Sequence, residues 1–214
     1  MRKRPGRPRS ARGRKSYHHG DLRRALLEAA RELVQTAGAE ALTLRAAARL
    51  AGVSQAAPYR HFADKRALLA AVAEEGFRAL TETMRRATVA HAGDPLGRFR
   101  ALGLSYVGFA VSHPAHFRVM FGRETADKAA HPGLRDAAEE TLGLLVGALT
   151  DCQRAGLARP GDPAELAVSA WAAVHGLSAL LLDGQLGTAA PERVEQLAQC
   201  VTASLFLGLG PERA

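Results

Sequence analysis

Apolar residues recur at helical spacing along most of the chain, and no stretch alternates as a half-buried strand would. Leu22, Leu26, Ala29 and Leu33 fall four, three and four apart, one stripe on a helix over residues 20–37. Gly38 is a stop signal. Thr43 is placed to cap a short helix, 44–51, that Gly52 ends. Ser54 is placed to cap a third helix, 55–61, which tolerates Pro58 near its first turn. Asp64 heads a fourth, 65–91, carrying Leu68, Leu69, Val72, Leu80 and Met84. Gly76 inside it permits a bend or close packing. Asp94–Pro95 and Asp162–Pro163 each pair a cap with a first-turn proline. The remaining helices are expected over 95–112, 114–121, 133–155, 163–183 and 191–208, with a polar loop over 123–133. The fold class is therefore all-α.

Three stretches, 101–117, 166–182 and 196–211, carry no charge. Each is interrupted by Ser, His, Gln or Gly and falls short of about 20 strongly apolar residues, so buried helices are expected and no membrane partner. The 214 residues suffice for a sizeable core. Two cysteines, Cys152 and Cys200, cannot make a disulfide scaffold, which suits a reducing, cytoplasmic compartment. No apolar stretch of a secretory signal follows the basic start.

Charge changes the picture. Residues 1–68 hold 16 basic and 5 acidic side chains, whereas 69–214 hold 13 and 16. A basic head on a mildly acidic body points to nucleic acid. Eight of the first fifteen residues are Arg or Lys, interspersed with Gly and Pro, so residues 1–16 read as a disordered arm attracted to DNA phosphates.

Short helix, tight turn, short helix is the helix-turn-helix arrangement. In Leu50-Ala51-Gly52-Val53-Ser54, Gly52 supplies the turn, Val53 packs inward, and Ser54 aims a helix N-terminus at a phosphate. The segment TLRAAARLAGVSQAAPYRHFADKRALL closely resembles the TetR family of bacterial transcriptional regulators. The likeness rests on Thr43, Ala51, Gly52, Val53, Ser54, Tyr59, His61, Phe62, Lys65, Leu68 and Leu69, and it covers residues 17–70. Pro58 departs from it, since the family often has Leu or Ile there.

The resemblance implies roles for matching positions. Thr43 and Arg45 would contact phosphate and a base. Gln55, Ala56 and Ala57 would face the major groove, Gln55 reading adenine and the alanines a thymine methyl. Tyr59, His61 and Lys65 would reach phosphates, with Arg60 a further basic candidate. Phe62 and Val53 read as core. His61 and Tyr59 each have a packing role as the alternative.

The resemblance also implies three parts: the arm, 1–16; a DNA-binding head, 17–68; and a helical ligand-binding and dimerisation body, 69–214. Trp171, His175 and Gly176 in AWAAVHGLSALLLDG resemble the WHG type of C-terminal domain. Trp171 and His175 share a helix face, either lining a pocket or holding the helix in the core. Tyr106, Phe109, Phe117, Met120 and Phe121 are further lining candidates, each with core as the alternative. Val168, Leu180, Leu197, Val201, Leu205 and Leu209, on the last two helices, suit a four-helix interface between two subunits.

Enzyme signatures are absent: no GxSxG elbow, phosphate-binding glycine loop or HExxH occurs, and Ser178 reads as a packing residue. His113 and His116 have no third ligand nearby, so no metal and no cofactor are expected. The expected partners are an operator duplex, a second copy of the chain and a small effector. The expected function is repression of a pseudo-palindromic operator, relieved by a small apolar ligand. A DNA-independent ligand carrier and a sequence-tolerant, nucleoid-type DNA binder are the rival functions.

Overall fold

A computed structural model describes residues 19–210. Among these described residues are eight α-helices: α1 (His19–Ala37), α2 (Leu44–Leu50), α3 (Lys65–Val89), α4 (Pro95–Ser112), α5 (Pro114–Met120), α6 (Pro132–Arg154), α7 (Pro163–Leu182) and α8 (Pro191–Leu209). Among the described residues there is no strand. The basic arm, 1–16, lies outside them.

Caps set the starts. The Thr43 hydroxyl accepts from the Ala46 N–H at 3.0 Å, Asp64 from Ala67 at 2.8 Å, Asp94 from Gly97 at 2.9 Å and Asp162 from Ala164 at 2.8 Å. Each answers one of the N–H groups that a helix start leaves without an internal partner. Gly52 follows α2 with φ of 69°, a left-handed conformation that a Cβ would strain.

The expected third helix is the exception. Residues 55–57 are turns and Pro58–Arg60 is a single 3-10 turn. With Ser54 as cap, residue 58 would donate the first α-helical hydrogen bond, to the Ser54 carbonyl, and proline has no N–H to give. Ser54 O instead receives the Ala57 N–H at 3.0 Å, and His61 N–H closes on Pro58 O at 2.9 Å. No side-chain cap bond is made at the start of this turn. The polar loop at 123–133 also contains two 3-10 turns, Arg123–Thr125 and Lys128–Ala130.

The head closes around Leu26, Leu27, Ala30 and Val34 of α1, Leu44 and Ala47 of α2, and Phe62, Leu68 and Leu69, all buried. Val53 is half-buried against this core. In the body, α3 packs on α4, α5 and α6, and α7 packs on α4, α6 and α8. α7 is long and apolar enough to cross a membrane, by length and composition only; a third of that apolar window is buried (33%).

α3 is shared. It begins in the head and runs through the body, while α1 also touches α5. Gly76 allows α5 to lie close against α3: a Cβ there would stand 2.6 Å from Met120 Sδ and 3.2 Å from His116 Cβ. His116 is 8% exposed in this seam. Burial, reinforced by the positive charge of Arg31 and by His113, lowers its pKa to about 4. Its neutral form is therefore favoured by folding, and the unfolded chain takes up a proton first. The stabilisation is complete above the unfolded value near 6.5 and is lost as pH falls towards 4. Its full size is roughly 3 kcal/mol by linkage. Denaturant unfolding at pH 7 and pH 4.5 should show a smaller acid loss in His116→Gln than in the parent chain. Equal losses would mean that His116 is not the titrating group.

Candidate functional site

The head presents one group of side chains outwards. Thr43 and Arg45 are exposed at the start of α2. Ser54, Gln55 and Ala56 are exposed on the turn that follows, and Ala57 is half-buried. Tyr59, 54% exposed, and Arg60 project from the 3-10 turn. His61 is half-buried, its ring 6.4 Å from that of Phe62. Lys65 begins α3, and its ammonium donates to the Glu40 carbonyl at 3.2 Å. That bond holds the Lys65 side chain beside the turn and leaves two of its three donors for another acceptor. Phe62 is 4% exposed, with the Arg23 guanidinium 5.7 Å from its ring centroid. It anchors the turn from beneath.

The body holds a half-open cavity of about 230 Å³ between α3, α4, α6 and α7. Its walls are chiefly Phe77, Leu80 and Met84 of α3, Tyr106 of α4, Leu145 of α6 and Trp171 of α7, closed by Phe121 just beyond α5. Of the seven lining candidates, Tyr106, Phe121 and Trp171 are there. The other four are not among its walls. Phe117 stacks on His175 with centroids 5.3 Å apart, Phe109 stacks on His113 at 4.5 Å, and Met120 fills the seam at Gly76. Phe77, Leu80, Met84 and Leu145 do not stand out in the sequence, because a wall residue and a core residue occupy the same apolar stripe.

A hydrogen-bonded chain runs behind the cavity. Trp171 Nε1–H donates to the Tyr106 hydroxyl at 2.9 Å, and that hydroxyl lies 2.8 Å from His175 Nδ1. The hydroxyl satisfies both partners when His175 carries its proton on Nε2. Burial favours this neutral state: it pushes the His175 pKa down and that of Tyr106 well up. The Trp171–His175 spacing therefore holds α7 onto α4 while the Trp171 ring faces the cavity. Ser178 is buried and donates to the Val174 carbonyl at 2.8 Å, a packing role. Among the described residues no group of three or more His, Cys, Asp or Glu side chains is placed to hold a metal ion.

Comparison with known proteins fixes the family. Residues 26–72 match the family described as bacterial regulatory proteins, tetR family, and residues 99–205 match the tetracyclin repressor-like C-terminal domain. This chain belongs to the TetR family. It is a DNA-binding transcriptional regulator, and TetR-family regulators are not enzymes. No curated protein matches it. A solved protein of unknown function from Rhodococcus sp. RHA1 is 38% identical, with a TM-score of 0.78 over 92% of this chain and 99% of the other. The TetR family regulator PfmR from Thermus thermophilus shares the fold at 20% identity, TM-score 0.69, covering 88% and 99% of the two chains. The fatty acid degradation regulator FadR from Bacillus halodurans does so at 15% identity, TM-score 0.74, covering 90% and 98%. The TetR head and body thus account for the helices of both halves, and α3 is the element common to them.

Proposed function

We propose that this TetR-family chain is a cytoplasmic homodimeric repressor of a pseudo-palindromic operator, released when a small apolar ligand enters the body cavity. The observation that carries the DNA reading is the exposure of Thr43, Arg45, Gln55, Ala56, Tyr59 and Arg60 around a head whose own core is closed. Basic and hydroxyl groups would hold phosphates, and Gln55 would read a base edge. For two such heads to read successive major grooves they must stand about 34–36 Å apart.

The dimer reading is supported by α7 and α8. Val168 and Leu180 are 53% and 45% exposed on an otherwise apolar helix, and Leu197, Val201 and Leu205 are half-buried on its neighbour. The side chain of Leu209 lies outside the described residues. A second copy covering this face would remove it from water. The likeness of Trp171, His175 and Gly176 to the WHG type goes with the same helix. The effector reading is supported by the cavity, whose walls are aromatic and aliphatic.

Selection of bound duplexes from a random pool, at near-physiological salt, tests the core of this reading. A two-fold symmetric consensus is expected. Uniform retention of all sequences, with binding that vanishes as salt rises, would instead favour a nonspecific DNA protein. On the selected duplex, deleting residues 2–15 should lower affinity and flatten the salt dependence. The slope of log affinity against log salt should fall by about 0.9 for each phosphate the arm no longer neutralises. An unchanged slope would make the arm a bystander.

A further inference from the structure

The polar groups of the cavity can be accounted for one by one. The Tyr106 hydroxyl is engaged by Trp171 and His175, and the Trp171 N–H is spent on Tyr106. The Thr141 hydroxyl donates to the Ala137 carbonyl at 2.9 Å and lies 2.7 Å from the buried Thr81 hydroxyl, which is left to donate to it. Glu139 also lines the cavity, but its side chain is 71% exposed and its carboxylate turns to Arg135 Nε at 3.8 Å, so its opposing charge is screened by water. The remaining polar lining group is Lys128, half-buried on the 3-10 turn Lys128–Ala130. Its Nζ stands 5.9 Å from the centroid of the Phe77 ring, a wall of the cavity. Among the described residues Lys128 makes no ion pair. An ammonium is thus kept at an apolar cavity, set over an aromatic face. A cation so placed attracts an anion more strongly than it would in open water, because the low-dielectric wall screens it less.

Resting on the effector reading above, we infer that the cavity takes a compact apolar monoanion, its hydrocarbon body among Phe77, Leu80, Met84, Phe121 and Trp171 and its carboxylate against the Lys128 ammonium. The size fits. At about 30 Å³ for each liquid-packed heavy atom, the volume of about 230 Å³ holds roughly seven or eight such atoms. That matches the tail of a medium-chain carboxylic acid or a single substituted ring. The hydrogen-bonded walls have no spare donor for a hydroxyl or amide deeper in, so a polar group there would be left unsatisfied.

The test uses the full chain and its single tryptophan, Trp171, as reporter. Octanoate, 1-octanol and octylamine share a chain and differ in head charge. Titrated against Trp171 fluorescence, octanoate should bind at least tenfold more tightly than 1-octanol, with octylamine weakest. Lys128→Met should bring octanoate down to the level of 1-octanol without weakening the alcohol, and Lys128→Arg should restore the preference. Equal binding of octanoate and 1-octanol, or a preference that survives Lys128→Met, would overturn the anion inference. If the alcohol then still releases the selected duplex, the apolar effector reading stands without it. Binding of none of the three would overturn both.

Discussion

Tyr59→Ala is expected to cut affinity for the selected operator by about a hundredfold or more, while leaving subunit association unchanged. Tyr59 stands on the 3-10 turn with more than half of its surface open, so its removal leaves no cavity in the head. The loss would come from the phosphate contact. A hydrogen bond to a charged acceptor contributes about 1.5–3 kcal/mol, and the proposed dimer would make the contact twice, for about 3–6 kcal/mol in all. The fall should be the same for every duplex tested, since a phosphate contact carries no base preference. Gln55→Ala should differ in kind, relaxing the consensus at one position. Titration of labelled operator, with sedimentation to follow the dimer, separates the two effects. Undiminished affinity in Tyr59→Ala would remove that residue from the interface.

Tyr106→Phe should destabilise the body by about 2–4 kcal/mol. The substitution preserves the ring and its edge-on contact with Phe117, 5.7 Å between centroids. What it removes is a hydroxyl that serves two neighbours. Trp171 Nε1–H and His175 Nδ1 would both lose their partner in a part-buried site, at about 1–2 kcal/mol each. For a chain of this size that is a fall in Tm on the order of 5–15 °C. Thermal unfolding followed by circular dichroism measures it. Adding His175→Phe to Tyr106→Phe should cost less than the two changes summed, because the second removes a group the first had stranded. Strict additivity would mean that Tyr106 and His175 do not depend on each other.

Local devices are the most legible part of the fold. Thr43, Asp64, Asp94 and Asp162 act within three residues of themselves, so their side chains declare the helix starts without reference to the rest of the chain. The stripe of Leu26 and Ala29 is equally plain, and both are buried. The segment after Ser54 misleads because Pro58 counts among the tolerated first-turn positions, yet it sits where the first helical bond must be donated. The cavity is half legible. Aromatic residues on α4 and α7 stand out by type, but Leu80 and Met84 become walls only through the way α3 meets α6. Lys128 gives no signal at all, since a lysine in a polar loop is ordinary until a distant helix brings an aromatic ring beneath it.

The 25 residues of α3 form a rod about 37 Å long, with Lys65 at one end and the cavity wall at Phe77, Leu80 and Met84. Lys65 lies about 22 Å along that rod from Leu80. With Leu80 as fulcrum, a tilt of about 10° sweeps the Lys65 end through roughly 4 Å, a little more than one base-pair step of about 3.4 Å. Two subunits tilting in opposite senses would put their heads about two steps out of phase with the grooves. In the proposed dimer, a displacement smaller than a methyl group at the wall, magnified by this leverage, would be enough to change which DNA the protein can grip.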